Sequence, residues 1–452
     1  MAVLVSERQP GDIPPTFKID LSLPPSERYV VLASIYRQKL RCLIDIFHEL
    51  ISSLDGIISP KWVYRAAPIL LRRLYTREET EEIKGICRVT GIDLYILISL
   101  NVFLDLLMGC TSGAASAKQK QDIDAKMLHF RTLDWDMDEL RQLIVKLEYF
   151  RSSESDTVLA TSVTYVGFVG VLTGVRKGLS ISLNFRPNHS SSSILANYRF
   201  YGSHLLVLLG MRRSISSLLR KYLLSADLEP AQHHSWLGRI LTLERTRRSS
   251  QTPLDQIAEN LPQIPTTAAY LIMCDGTSAI VFEKDHRSAK IQRSSSFIVA
   301  TNSDSANLSP NSEVVDCGKI HRVASTSNET LDMDDVIFLS SERRACMQKA
   351  WDDKVQAKAN SLSMSQGSTT PQPDIRRRTC LSNSYSLTAS NSLRCDSQVT
   401  ATPSEVIEWV NRYPITNEMT HFAAIMDPTL GKVTWIRRYT DQPTHNDTGQ
   451  VL

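Results

Sequence analysis

The chain has no strong excess of charge: 51 Lys and Arg stand against 48 Asp and Glu, a formal net charge of +3 over 452 residues. Nucleic-acid binders concentrate positive charge on one face or tail, so this balance argues against that class, and no nucleic-acid partner is expected. Basic clusters such as "RRLYTR" at 72–77 and "RTRRSS" at 245–250 then read as solvated surface. The eight cysteines include no CxxC pair, and no HExxH occurs. That leaves no zinc site of the usual spacing, and no metal or cofactor is expected. The adjacent His233 and His234 point in different directions if helical. An export signal is also missing, because Glu7, Arg8, Gln9 and Pro10 interrupt the N-terminus before any apolar run develops. The most apolar stretch, "GIDLYILISLNVFLDLLMG", is broken by Asp93, Asn101 and Asp105. A charge near a bilayer centre costs roughly 2.5–3.5 kcal/mol, so the stretch reads as a buried helix rather than a membrane span. No internal repeat is visible.

What is present is ordinary globular material, 42% hydrophobic and 22% charged. Apolar residues recur at helical spacing from Tyr29 to Leu54 and again through "KWVYRAAPILLRRLYTREETEEIKGICRVTG". Residues 1–109 are therefore expected to form a helical N-terminal segment. After Cys110 the pattern changes to short, β-branched, alternating runs: "AKMLHFRTLDW", "QLIVKLEYFR" and "TVLATSVTYVGFVGVLTGVRKGLSISLNFR". Two helical stretches follow, around "SHLLVLLGMRRSISSLLRKYLLSA" and "TPLDQIAENLPQ", and then strands return at "AAYLIMCDGTSAIVFEKD", "AKIQRSSSFIVATNSD" and "THFAAIMDPTLGKVTWIRRYT". The Ser-rich stretch 356–404 has too little apolar content to offset the entropy of ordering it, and is expected to be disordered.

The transition falls on a single cysteine, Cys110, in "LDLLMGCTSG", followed by "HFRTLDWDM" with an arginine and two aspartates. A nucleophilic thiol needs a base, oxyanion donors and a charged group that orients them. No histidine is singled out by its surroundings. An α-amine, with a pKa of about 7.7–8.0, would serve as the base if Cys110 were the first residue of a mature chain.

These stretches resemble the family of acid ceramidase and N-acylethanolamine-hydrolysing acid amidase, N-terminal-nucleophile hydrolases that cleave themselves just before a cysteine. The resemblance begins at "FKIDLSLPPSERY" and runs through "NVFLDLLMGCTS" to "HFRTLDWD", which is similar to the family's Arg-x-x-Asp strand and implies roles for Arg131 and Asp134. "GFVGVLTGVRKGLSISLNFRP" resembles the Gly-rich stretch and the Leu-Asn strand after it, aligning Asn184. "FIVATNSD" aligns Asn302, and "SERRACM" aligns Arg343. Asp136 and Arg344 are the neighbours that a register error would substitute for Asp134 and Arg343.

The resemblance implies an α+β fold, a four-layer αββα sandwich of the N-terminal-nucleophile hydrolase type over residues 110–452, covered by the segment 1–109. It also implies amide hydrolysis through a Cys110 thioester after cleavage between Gly109 and Cys110. In that scheme the Asn302 and Asn184 amides donate to the oxyanion, Asp134 holds the Cys110 amine, and Arg131 and Arg343 lower the thiol pKa. The substrate implied is an N-acyl lipid, ceramide or N-acylethanolamine, with transient membrane-surface contact; a non-catalytic lipid-binding relative is the alternative. Family members are lysosomal or secreted, whereas the N-terminus read here leaves a cytoplasmic location open. Their two pieces are tied by a disulfide, but no cysteine precedes Cys42. The two parts of this chain are thus expected to hold together by apolar packing or through Cys42 or Cys87.

Overall fold

The β-branched and alternating runs form two stacked sheets in a computed structural model that describes residues 12–53, 59–103, 109–119, 121–152, 154–187, 202–225, 252–304, 333–366 and 399–441. The larger sheet contains β1 (Thr16–Asp20), β4 (Ile144–Phe150), β5 (Ala160–Tyr165), β6 (Thr173–Arg176), β7 (Leu179–Phe185), β8 (Ala269–Cys274), β9 (Ala279–Lys284) and β10 (Ala289–Ser294), in that order. The smaller sheet is ordered β11 (Phe297–Ala300), β2 (Gly109–Ala117), β3 (Lys126–Asp134), β12 (Thr420–Asp427) and β13 (Lys432–Arg438).

β2 and β3 are buried from their second residue onward, because each of their two faces is covered. On β3, Leu128 and Phe130 point to one side and join Trp351 and Trp409 in a helix-facing core. Leu133, on the other side, joins Cys110, Leu183 and Phe422 in the core between the sheets. The period of two thus places Cys110, Ser112 and Arg131 in the interlayer and leaves the opposite face to helices. Those helices are α8 (Met333–Gln366) and α9 (Pro403–Asn411). Phe297 stacks on Trp351 with ring centroids 5.2 Å apart. On the far side of the larger sheet lie α6 (Ile215–Leu224) and the helices of the N-terminal segment: α1 (Val30–Ile35), α2 (Cys42–Ser53), α3 (Pro60–Leu70), α4 (Arg77–Thr90) and α5 (Leu94–Phe103). The four-layer αββα arrangement is therefore present. A further helix, α7 (Pro253–Asn260), opens with a capping box of Thr252 and Asp255.

The N-terminal segment is not wholly helical. β1 adds in parallel to β4, from Thr16 opposite Lys146 to Asp20 opposite Phe150, so part of the expected cover is an edge strand of the main sheet. Helix α4 starts on Thr76, whose side chain accepts from Glu79 N–H, and stops at Gly91 with φ 77°. The buried Arg220 guanidinium on α6 is bidentate to the Glu82 carboxylate, and Ser217 Oγ donates to Glu79 Oε2 at 2.8 Å. Asn101 clasps the loop after β5, donating to Gly167 O and accepting from Val169 N–H, both at 2.8 Å. Cys42 and Cys87 are free thiols. The segment is thus held by a strand and buried polar contacts as well as by apolar packing.

Three boundaries differ from the sequence pattern. "AKIQRSSSFIVATNSD" is two strands, with β10 on the edge of one sheet and β11 on the edge of the other. Helix α5 is described as far as Phe103 and β2 already includes Gly109, while residues 104–108 lie outside the described part. Within the stretch 356–404, α8 continues to Gln366 and Ala401 bridges Ala117; residues 367–398 lie outside the described part. Among the Gly-rich stretch, Gly178 supplies φ 79° in the β6–β7 turn, and a Cβ on Gly174 would come within 2.5 Å of Leu223 on α6. No helix among the described residues is long and apolar enough to cross a membrane.

Candidate active site

Cys110 is the second residue of β2, opposite Leu133 of β3, and has no exposed surface. Two residues on, Ser112 shares its face and lies opposite Arg131. The facing sheet supplies Asn184 from β7, the end of β11 supplies Asn302, and α8 supplies Arg343. The six residues expected from the sequence are joined in two hydrogen-bonded groups that meet at Cys110.

In the first group, Arg131 Nη1 donates to Asn184 Oδ1 and Leu183 O at 2.7 Å and to Ser112 Oγ at 3.1 Å. Ser112 Oγ donates in turn to Asn184 Oδ1 at 2.7 Å. Arg131 Nε and Nη2 are buried without a hydrogen-bond partner among the described residues. In the second group, Cys110 N–H donates to Asn302 Oδ1 at 2.8 Å. Arg343 Nη2 donates to the same oxygen at 2.9 Å, and its Nη1 donates to Asp134 Oδ2 at 2.5 Å. Thr420 Oγ1 holds the other Asp134 oxygen at 2.8 Å. Asp134 is buried while Asp136 is exposed, and Arg344 reaches only Ser303 O at 3.5 Å. Asp134 and Arg343 are therefore the members of each pair that enter the site.

The roles differ from the expectation at three points. The Asn302 amide donates to Phe185 O at 2.8 Å, and the Asn184 amide to Ala300 O and Thr301 O at 3.0 and 3.2 Å. Both amides are thus committed to backbone carbonyls, and Asn302 faces Cys110 with its oxygen. Asp134 spends both oxygens on Thr420 and Arg343, and the Cys110 nitrogen rests on Asn302 instead. The thiol is not lowered: burial pushes it up, Arg131 draws it down, the Asp134 charge opposes that, and Arg343 again draws it down. The Asp134 carboxyl is likewise raised by burial, against the pull of Arg343 and Thr420.

The structure also brings in residues without a signal in the sequence. Tyr165, at the end of β5, shares a hydrogen bond between its hydroxyl and His421 Nδ1 at 2.7 Å. Burial first, and the Cys110 sulfur nearby, push the pKa of that phenol well above its usual value. His421 sits where the register of β12 on β3 shifts, a bulge that re-aims its side chain. Thr420 and Ser340 complete the surroundings. Ser112 alone was accessible from sequence, as the residue two beyond Cys110 on one strand face; the others are brought in by tertiary contacts.

Residues 12–75 match the family described as the beta subunit of N-acylethanolamine-hydrolyzing acid amidase. The chain is 33% identical over 189 residues to the acid ceramidase of Mus musculus, covering 38% of this chain and 45% of that protein. It is 29% identical over 188 residues to the N-acylethanolamine-hydrolyzing acid amidase of Caenorhabditis elegans, covering 39% of this chain and 49% of that protein. The chain thus spans about half the length of the curated relatives it matches. A solved structure of a Caenorhabditis elegans N-acylethanolamine-hydrolyzing acid amidase (NAAA) ortholog aligns with a TM-score of 0.39 and 16% identity, over 71% of this chain and 94% of that one. In sequence, the chain is similar over part of its length to acid ceramidases and N-acylethanolamine-hydrolyzing acid amidases.

Proposed function

We propose that this chain is an amide hydrolase that cleaves the N-acyl bond of ceramide-like lipids to fatty acid and sphingoid base, after self-cleavage between Gly109 and Cys110. The observation that carries this reading is the Cys110 nitrogen on Asn302 Oδ1, with Arg343 and Asp134 behind it and Arg131 on the neighbouring strand reaching across the interlayer to Asn184. Once Gly109 has left, that nitrogen becomes an amine whose position is already defined. It takes the Sγ proton as the sulfur attacks the acyl carbonyl, and gives the proton to the departing sphingoid amine as the thioester forms. Water then adds to the thioester, and the fatty acid leaves as the thiol is restored. The two unpartnered donors of Arg131 are available to the acyl oxygen, a role that the sequence pattern assigns to asparagine amides. Loss of one good oxyanion donor costs about 2.7–4 kcal/mol in other enzymes.

Delivery of a lipid substrate calls for an apolar surface rimmed by charge. Trp62, Tyr64, Ile69, Leu205, Leu206 and Met211 are exposed, and Lys61 and Arg65 flank the first three on α3. Such a basic amphipathic helix fits transient contact with a membrane surface. N-acylethanolamines are the alternative substrates, and an acidic, lysosomal or vacuolar setting follows from the resemblance. A second reading, a lipid-binding relative without turnover, is favoured by the fully buried, raised thiol and the occupied amides.

N-terminal sequencing after incubation at acidic pH separates the two readings. A fragment beginning at Cys110 and fatty-acid release from a panel of ceramides and N-acylethanolamines are expected. Cys110→Ala should abolish both while leaving the fold intact. An intact, inactive parent chain would leave the binding reading, and full activity in Cys110→Ala would place the nucleophile elsewhere.

A further inference from the structure

Asn302 is fixed at both ends of its residue by one helix. Arg343 of α8 holds its side-chain oxygen, and one turn earlier Ser340 Oγ accepts the Asn302 backbone N–H at 2.7 Å. Ser340 Oγ also lies 2.9 Å from Thr301 Oγ1 and 3.2 Å from Ser303 Oγ, so its single proton and its lone pairs are all used within the bend 301–303. Ser340 has no exposed surface, nor do Thr301 and Asn302. A serine inside a helix ordinarily bonds back to its own preceding turn. The adjacent Ser341 does so, donating to Phe338 O at 2.7 Å. Ser340 instead reaches out of the helix to the 301–303 bend.

We infer that Ser340 is a positioning residue that staples the Thr301–Ser303 bend to α8 and thereby sets the Asn302 oxygen against the Cys110 nitrogen. Without the hydroxyl, the Asn302 N–H loses this acceptor in a dry site and the tie between the bend and α8 is broken. The Asn302 oxygen then loses its fixed relation to both Arg343 and Cys110. The inference rests on the proposed hydrolase for its kinetic consequence only; the staple itself is read from geometry.

The test compares Ser340→Ala with Ser340→Thr, which keeps the hydroxyl, in the full chain. Amide hydrogen exchange at Asn302 is expected to speed up at least about tenfold in Ser340→Ala and to return towards the parent rate in Ser340→Thr. In the processed enzyme, kcat for N-acyl lipid hydrolysis should fall about tenfold or more in Ser340→Ala with KM within about twofold of the parent, since misplacement by a fraction of an ångström acts on the reacting geometry rather than on binding. A purely structural serine would lower thermal stability and leave kcat per titrated thiol unchanged. Exchange at Asn302 within about twofold of the parent in a folded Ser340→Ala chain overturns the staple. If the parent hydrolyses no N-acyl lipid, the hydrolase reading falls and the exchange measurement alone decides the staple.

Discussion

At the scale of single residues, burial dominates the ionisable groups of the interlayer. His129 lies between the sheets with Nδ1 and Nε2 paired to the hydroxyls of Ser180 and Ser182 at 2.9 and 2.8 Å. His421 Nδ1 is hydrogen-bonded to the Tyr165 hydroxyl. Burial, reinforced by Arg131 in one case and Arg141 in the other, pushes each imidazole down to about 3. A histidine in the unfolded chain titrates near 6.5, so between these values the unfolded state binds more protons. Stability is complete above about pH 6.5 and falls as the pH drops towards 3; at pH 5 each histidine costs about 2 kcal/mol. Urea denaturation followed from pH 7 to 5 should therefore show falling stability, and His129→Gln should reduce the slope by the equivalent of about one proton. An unchanged slope would mean that His129 titrates alike in the folded and unfolded chains.

At the scale of elements, α8 links the two faces of the smaller sheet's surroundings. Ser340, Arg343 and Met347 recur on one side of it, and Trp351 continues that side onto Phe297 and Trp409. The helix passes well into the Ser-rich stretch that composition marks as disordered, because Trp351 and Met347 anchor its earlier turns. At the far end of that stretch, Ala401 N–H donates to Ser116 O at 2.9 Å, and Thr402 forms a capping box with Glu405 at the start of α9. Deleting 367–398 behind a short Gly/Ser linker should leave thermal stability and turnover within about twofold of the parent, as expected of a surface insertion. Deleting all of 356–404 should lower the melting temperature, because it removes the last turns of α8 and the Ala401 bridge. Equal melting temperatures for the two deletions would show that these ends contribute nothing.

At the scale of the whole molecule, the N-terminal segment and the rest of the chain share one architecture, with no covalent tie beyond the backbone among the described residues. The parallel β1–β4 pairing, the Asn101 clasp and the Glu82–Arg220 pair all cross the boundary at Gly109. Glu82 has no exposed surface and also receives Arg28 at 3.0 Å. Cutting the backbone at a protease site placed between Phe103 and Gly109 should leave two pieces that co-elute in gel filtration under reducing conditions. Arg220→Ala leaves the Glu82 charge with only Arg28, and removal of one partner of a buried pair costs about 3–5 kcal/mol. The cut variant should then separate at a lower urea concentration than the cut parent. Dissociation of the cut parent in buffer alone would show that these contacts do not suffice.

The sequence by itself marked the change from a mostly helical segment to strand-like runs near Cys110, and its resemblance implied the αββα class and six candidate site residues. Period-two runs define strands locally, and Cys110, Arg131, Asp134, Asn184, Asn302 and Arg343 each sit in a motif that can be read in place. Tertiary structure alone decided how those residues face one another. The oxygen rather than the amide of Asn302 meets Cys110, both Asp134 oxygens are taken, and Ser340, Tyr165, Thr420 and His421 enter the site. The physical reason is that a hydrogen bond depends on direction and on competition among neighbours. Thr420 and Asp134 are 286 residues apart, and Tyr165 and His421 are 256 apart. Such partners are chosen only when the two sheets close and every buried donor must find an acceptor.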